Sequence, residues 1–241
     1  MANIIKLFII VIVASSWLYF LTKFAPSIDE SEEVNLRFPN SLDELKHLSE
    51  ILKKYYEKNC FFVILLFCSA YLYKQSFMIP GSALLNLLAG AIFGTWLALP
   101  IVCLLTAVGA SVCFLISKNF GKDILEKFFP DRVRRLQTKV MANSGRLLYF
   151  LLFLRIFPVT PNWFINVASP IAGVPLPLFF ITVLVGLLPY NLVCVQAGEV
   201  LSTLSAVSDL LTPTVLINLT IAATLFLVPT FISKEQRRHT S

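Results

Sequence analysis

Two apolar stretches of this chain carry side chains that could handle a polar or anionic group at membrane depth. In residues 154–166, Arg155, Thr160, Asn162 and Asn166 surround Pro158 and Pro161. In residues 79–90, Ser82 and Asn86 follow Pro80-Gly81. Asn191 and Gln196 add two more amides to a later apolar run. Guanidinium, amide and hydroxyl groups bind phosphate and water; they do not by themselves break bonds. The only imidazoles, His47 and His239, sit in polar flanks, so no nucleophile–base–orienter set forms in the apolar blocks. The expected chemistry is passage or recognition of a polar group, and the chain reads as a non-enzyme with no catalytic residue.

Each of these residues also has a plainer reading. Arg155 is the most deeply embedded charge, and a lone arginine at mid-membrane costs at least ~2.5–3.5 kcal/mol, so it faces a cavity, a partner or an interface. It either attracts a lipid phosphate, which its planar fork suits, or snorkels to the interface or caps carbonyls freed by Pro158. Thr160, Asn162 and Asn166 either line a groove or satisfy the backbone around the two prolines. Ser82, Asn86, Asn191 and Gln196 carry the same two readings. Pro80, Pro158, Pro161 and Pro170 shape loops, because a fixed φ and a missing N–H bend a helix wherever they occur. Pro189 belongs to the same geometric set. Gly81, Gly90, Gly94, Gly109 and Gly186 are read as places of close helix approach.

Backbone in lipid must satisfy its own hydrogen bonds, so the elements holding these residues are constrained. A broken helix survives at membrane depth only inside protein or beside a wet cavity. The 241 residues are 57% hydrophobic and 14% charged, with mean hydropathy +0.78. Soluble domains average about 25% charged. The chain is therefore expected to be an all-α polytopic membrane protein. Its net charge of +6 includes no basic helix or aromatic-basic stripe apart from the membrane, which argues against nucleic-acid binding. Five cysteines, Cys60, Cys68, Cys103, Cys113 and Cys194, lie in or beside apolar runs with no C-x-x-C pair. That distribution argues against a disulfide framework or a metal site, and no cofactor is expected.

Along the chain, residues 1–25 read as an N-terminal transmembrane helix, with a signal sequence as the rival. Residues 26–59 read as a lumenal segment with an amphipathic helix, Leu42, Leu45, Leu48, Ile51, Leu52 and Tyr55 falling at helical spacing. Residues 60–198 form the core. Its expected parts are a re-entrant hairpin at 60–96, a helix at 97–117, a cytosolic segment at 118–146, a second re-entrant hairpin at 147–175 and a helix at 176–198. Residues 199–241 supply a C-terminal transmembrane helix and a basic tail.

Charge and length produce the hairpins. Segment 118–146 has eight basic residues against three acidic, and segment 27–58 has eight acidic against five basic. The positive-inside rule places the first in the cytosol with the tail and the second outside. With one crossing near 213–232, block 147–197 must cross an odd number of times. Its 51 residues fall short of the roughly 60 that three spans require, so one crossing plus a returning hairpin fits. The first block follows by analogy, which gives an inverted repeat. Paired interrupted segments, one in each half, point to a transport pathway.

At these residues the chain resembles the transmembrane protein 41 family of the DedA superfamily, whose shared unit is the VTT, or SNARE-associated, domain. The resemblance rests on Phe77 to Ser82, Ala89-Gly90, Phe93-Gly94, Gly109 and Gly121, then on Phe153 to Pro158, Thr160 to Asn166, Pro170, Pro175, Gly186, Pro189 and Gly198. Tyr71 to Gln75 and Gly186 to Asn191 look like the 41A branch. The resemblance implies two facing re-entrant loops and energy-independent phospholipid scrambling in the endoplasmic reticulum. Membrane phospholipids would be the partners, with homo-oligomers or other membrane proteins left open. Bacterial relatives look like proton-coupled transporters with acidic residues near the first motif; this chain has Lys74, Gln75 and Ser82 there, which speaks for a passive mechanism. The alternatives are an ion-coupled secondary transporter of a small solute and a non-transporting scaffold.

Overall fold

A computed structural model describes residues 2–26, 42–121, 125, 127–156 and 161–203. All regular structure among them is helical, and the chain is an all-α membrane protein. Pro158, Thr160, the expected last span and the basic tail lie outside the described residues.

Helix α1, Ala2–Lys23, is apolar on every side and exposes most of its large side chains, including Ile5, Phe8, Val13 and Phe20. Such a helix suits lipid contact rather than a protein core. Two polar contacts join it to α2: Trp17 Nε1 donates to Ser69 Oγ at 3.2 Å, and Ser15 Oγ lies 2.9 Å from Tyr73 Oη.

Helix α2, Leu42–Ser76, kinks at Asn59 (φ −136°, ψ 56°), where the sequence changes from charged to apolar. The amphipathic portion expected from leucine spacing and the apolar arm after Cys60 are thus two limbs of one bent helix. Helix α3, Ser82–Phe120, starts behind Gly81 (φ 111°) and ends at Gly121, whose N–H donates to the Ser117 carbonyl. Its 39 residues are interrupted at Gly94 (φ 71°, ψ 164°), a conformation that disfavours any side chain. Gly94 is therefore a backbone break as well as a contact point. The first limb, 82–93, is about 18 Å long and the second, 95–120, about 39 Å at 1.5 Å per residue. Only the second matches the ~30 Å hydrocarbon thickness.

Helix α4, Pro130–Ala142, buries Val133, Leu136 and Val140 on one face. It exposes Arg132, Arg134, Arg135 and Lys139 on the other. A 3₁₀ turn, Ser144–Arg146, leads into α5, Leu147–Ile156. Ten residues reach only about 15 Å, so α5 cannot cross by itself. Helix α6, Asn162–Ala168, follows the second proline cluster and turns through Gly173 (φ 82°). Helices α7, Leu176–Gly186, and α8, Leu188–Thr203, meet at a 41° bend. Pro189 accounts for that bend, because it cannot donate to the preceding turn and its ring crowds the carbonyl there.

Among the described residues two helices, Ile5–Lys23 and Ser82–Phe120, are long and apolar enough to cross a membrane, and the bent α7–α8 pair makes a third if it forms one span. The sequence predicts a single helix over 176–198; the structure has a bent pair running to Thr203, so the second helix continues through Glu199. One core packs α3's second limb with α4–α7 around Phe114, Leu151, Ile165 and Phe179. The other joins α2, both limbs of α3 and α8 around Val63, Tyr71, Leu88, Val102 and Val195.

Candidate functional site

The first limb of α3 packs against α8 with backbone touching backbone. A Cβ on Gly90 would strike the Val195 carbonyl, and one on Gly198 would strike the Leu87 carbonyl. That approach lets short polar side chains meet between the two halves of the chain. Asn86, fully buried, donates through Nδ2 to Asn191 Oδ1 at 3.0 Å. The Tyr71 hydroxyl donates to Asn86 Oδ1 at 2.9 Å and lies 2.7 Å from Thr106 Oγ1. Asn191 Nδ2 reaches Cys103 Sγ at 3.5 Å. The network ties α2, both limbs of α3 and α8 at one buried locus. Its amides satisfy one another, as buried polar groups must, and Asn86 and Asn191 have no contact with solvent-facing space.

The α3 break has its own polar partner. Glu199 Oε2 accepts from the Thr95 backbone N–H at 3.1 Å and also contacts Thr95 Oγ1. Thr95 starts the second limb, where a helix leaves N–H groups unpaired and its dipole favours negative charge. Glu199 thus caps a helix from 104 residues away in sequence. Neither Glu199 nor Thr95 is conspicuous in the sequence; the one available signal is an acid placed directly after Gly198, a residue that brings two backbones together.

In the second half, Arg155 is 5% exposed. It lies in the last turn of α5, and its stem runs past Gly186, where a Cβ would sit 2.8 Å from Arg155 Cβ. Nη1 donates to Asn166 Oδ1 at 2.9 Å, and the guanidinium lies over the Phe179 ring, 4.8 Å from its centroid. Among the described residues, buried Nε and Nη2 have no hydrogen-bond partner, and neither has Ser169 Oγ. Among the described residues no carboxylate pairs with this cation. The guanidinium therefore holds two donors and a full charge in reserve, an arrangement suited to an oxyanion such as a phosphate diester.

Lys74, at the end of the apolar arm of α2, is equally buried at 6% exposure. Its Nζ donates to Ser82 Oγ and to Gln75 Oε1, the latter at 3.2 Å, and lies 5.8 Å from the Tyr71 ring centroid.

The residues singled out from sequence therefore fall into three groups. Asn86 and Asn191 meet each other; Arg155 and Asn166 meet each other; Ser82 meets Lys74. Asn162 and Gln196 are exposed and join none of the three. Pro161 is the N-cap of α6, Pro170 lies in the turn after it, and Gln75 packs where Gly109 has no side chain. Tyr71, Thr95, Cys103, Thr106, Phe179 and Glu199 are the participants that sequence reasoning did not reach. No group of metal-ligating side chains occurs among the described residues.

A family model described as the VTT domain matches residues 79–200, which include Asn86, Asn191, Arg155 and Asn166. The chain is 36% identical to a transmembrane protein 41 homolog of Caenorhabditis elegans, over 87% of this chain and 85% of that one. It is 32% identical to transmembrane protein 41B of Homo sapiens, over 92% of this chain and 76% of the relative, and 32% identical to the Xenopus laevis protein of that name, over 93% and 81%. No solved structure matches. A VTT domain over half the chain, with relatives matched over most of their length, makes this membrane protein a member of the transmembrane protein 41 family.

Proposed function

We propose that this protein is an energy-independent phospholipid scramblase of the endoplasmic reticulum membrane, which moves headgroups along polar walls formed by its two broken segments. The observation that carries the reading is Arg155: a cation with two donor nitrogens unpaired and no carboxylate partner among the described residues, placed in the last turn of α5. A buried, uncompensated charge is costly. A phosphate passing the segment would supply the missing acceptors, while its acyl chains stay in lipid.

Two further features support it. Neither α5 nor the first limb of α3 is long enough to span, as hairpins that dip and return would require. Facing hairpins of that kind, arranged as an inverted repeat, would thin the membrane and shorten the dry path. The family's understood role in lipid scrambling, which the sequence resemblance implies, points the same way and supplies the compartment.

Glu199 gives a second reading its own footing. A half-buried acid joined to a helix break is a group that an ion-coupled transporter could protonate or neutralise. The two are separated by purified protein in liposomes loaded with a fluorescent phospholipid. For a scramblase, the exchange rate is the same with no ion gradient as with a proton or sodium gradient imposed. A rate that vanishes when the gradient collapses supports coupling instead.

A further inference from the structure

Helix α4 carries a charged face that the lipid path does not use. Residues 127–139 hold five basic side chains, Lys127, Arg132, Arg134, Arg135 and Lys139, against one acid, Asp131. The inner face is fixed: Val133, Leu136 and Val140 are buried, and Gln137 Nε2 donates to the Ile171 carbonyl at 3.3 Å. At 3.6 residues per turn, Arg132, Arg135 and Lys139 then fall within about 60° of one another beside that face. Arg134 leaves the helix on a different side. A cleft of about 300 Å³ opens along the stripe, lined by Phe128, Phe129, Pro130, Asp131, Arg132 and Arg135. The Arg132 guanidinium lies over the Phe129 ring, 5.7 Å from its centroid, and Phe129 meets the Trp163 and Phe164 rings at 6.2 Å each. That wall is braced by α6. Among the described residues no carboxylate pairs with Arg132 or Arg135. The second limb of α3, long enough to cross, ends at Phe120, and apolar α5 starts at Leu147, so α4 between them lies at one face of the membrane.

We propose that the cleft and basic stripe of α4 dock the headgroup of an anionic phospholipid from the leaflet at which α3 ends. Charge complementarity selects the occupant. Basic side chains at a membrane face attract anionic lipids, and the attraction fades within a Debye length, so only the adjoining leaflet is in range. Arg132 and Arg135 each offer a planar fork of N–H donors to the phosphate. Asp131 accepts from a headgroup hydroxyl. Phe128, 67% exposed, is placed to meet the acyl chains. Membrane topology accounts for positive charge on this side of the chain; it does not account for a cleft between two of the cations. The assignment concerns binding alone, uses neither Arg155 nor Lys74, and does not depend on lipid movement.

The test is isothermal titration of the full chain in detergent. The probes are dioctanoyl phosphatidylglycerol, dioctanoyl phosphatidylcholine, whose headgroup has no net charge, and glycerol 3-phosphate, which has no acyl chains. The expected result is saturable binding of the phosphatidylglycerol, with the other two at least about tenfold weaker. The double variant Arg132→Gln with Arg135→Gln should lose at least about tenfold in affinity for phosphatidylglycerol, while Arg134→Gln stays within about threefold. Both replaced arginines are exposed, so the fold should survive. Should the double variant fail to fold, Arg135→Gln alone carries the test, with a loss of at least about threefold expected. An equal loss in Arg134→Gln would mean diffuse attraction to the whole helix and would overturn the cleft. Phosphatidylcholine bound as tightly as phosphatidylglycerol would overturn the anionic assignment, and glycerol 3-phosphate bound as tightly would replace the lipid by a soluble anion. Absence of saturable phosphatidylglycerol binding would end the proposal. Because no transport is read, a protein that binds at this cleft but does not scramble would refute the scramblase reading and leave the docking site standing.

Discussion

Asn86 on α3 donates a 3.0 Å hydrogen bond to Asn191 on α8, joining residues 105 apart in sequence inside the core. The amides lie between Tyr71 and Cys103, so α2, α3 and α8 share one polar knot. Because both side chains are buried, each satisfies a demand that the other creates. Removing Asn191 strips the partner from Asn86 Nδ2, and removing Asn86 strips it from Asn191 Oδ1, while removing both creates neither orphan. Asn86→Leu and Asn191→Leu should each lower thermal stability in detergent, and the double variant should lose less than their sum. The expected coupling is about 0.6–2 kcal/mol, the range for polar pairs in membrane helices. Strict additivity in unfolding measurements would mean that the two amides do not depend on each other.

Glycine contacts give a sharper contrast. A Cβ on Gly90 or Gly198 must displace a backbone carbonyl, whereas one on Gly145 meets nothing within 4 Å. Gly90→Ala and Gly198→Ala should each cost about 1–3 kcal/mol or more, as overpacked sites do, with Gly145→Ala within about 0.5 kcal/mol of wild type. Thermal unfolding of the three purified variants checks the order.

Glu199 caps the second limb of α3 through the Thr95 N–H. Glu199→Ala leaves that donor without its acceptor and should cost about 1–3 kcal/mol. Glu199→Gln keeps an acceptor oxygen and should cost less. Hydrogen exchange read at Thr95 and Trp96 should speed up in the alanine variant and change little in the glutamine one.

How much of this was legible in the sequence depends on whether a feature is local. Proline and glycine act on their own backbone, so the turn at Pro80-Gly81 and the interruption before Asn162 were readable one residue at a time. So were the all-helical membrane class and the family. Arg155 was conspicuous because a charge in apolar sequence always is. Glu199 was not, since it lies at the apparent edge of a polar stretch, and only the approach of Gly198 to Leu87 brings it to Thr95. Tyr71 and Thr106 look like ordinary lipid-facing or core residues until Asn86 is placed between them. Gly94 shows the reverse: its type suggested close packing, but its φ of 71° makes it a break. Gln196 and Asn162 were selected by polarity alone, and polarity does not say which way a helix face turns.

Arg155 is where structure and transport should separate. Arg155→Ala removes the two unpaired donors together with the Asn166 contact. If the guanidinium guides phosphates, phospholipid exchange in liposomes should slow by roughly ten- to a hundredfold, the range for losing a hydrogen bond to a charged group. Thermal stability should fall by less than about 2 kcal/mol, since the variant removes a charge that lacks an ion-pair partner. Exchange at the wild-type rate in a folded variant would return Arg155 to a packing role over Phe179.

The central claim is that this chain alone lets phospholipids change leaflets. Liposomes containing the purified protein and a fluorescent phospholipid in both leaflets, treated outside with dithionite, test it most directly. The account predicts that nearly all fluorescence is lost from every protein-bearing vesicle, without nucleotide or ion gradient. Fluorescence that stops falling at about one half, as the inner leaflet of a sealed vesicle requires when lipids stay in place, would contradict it.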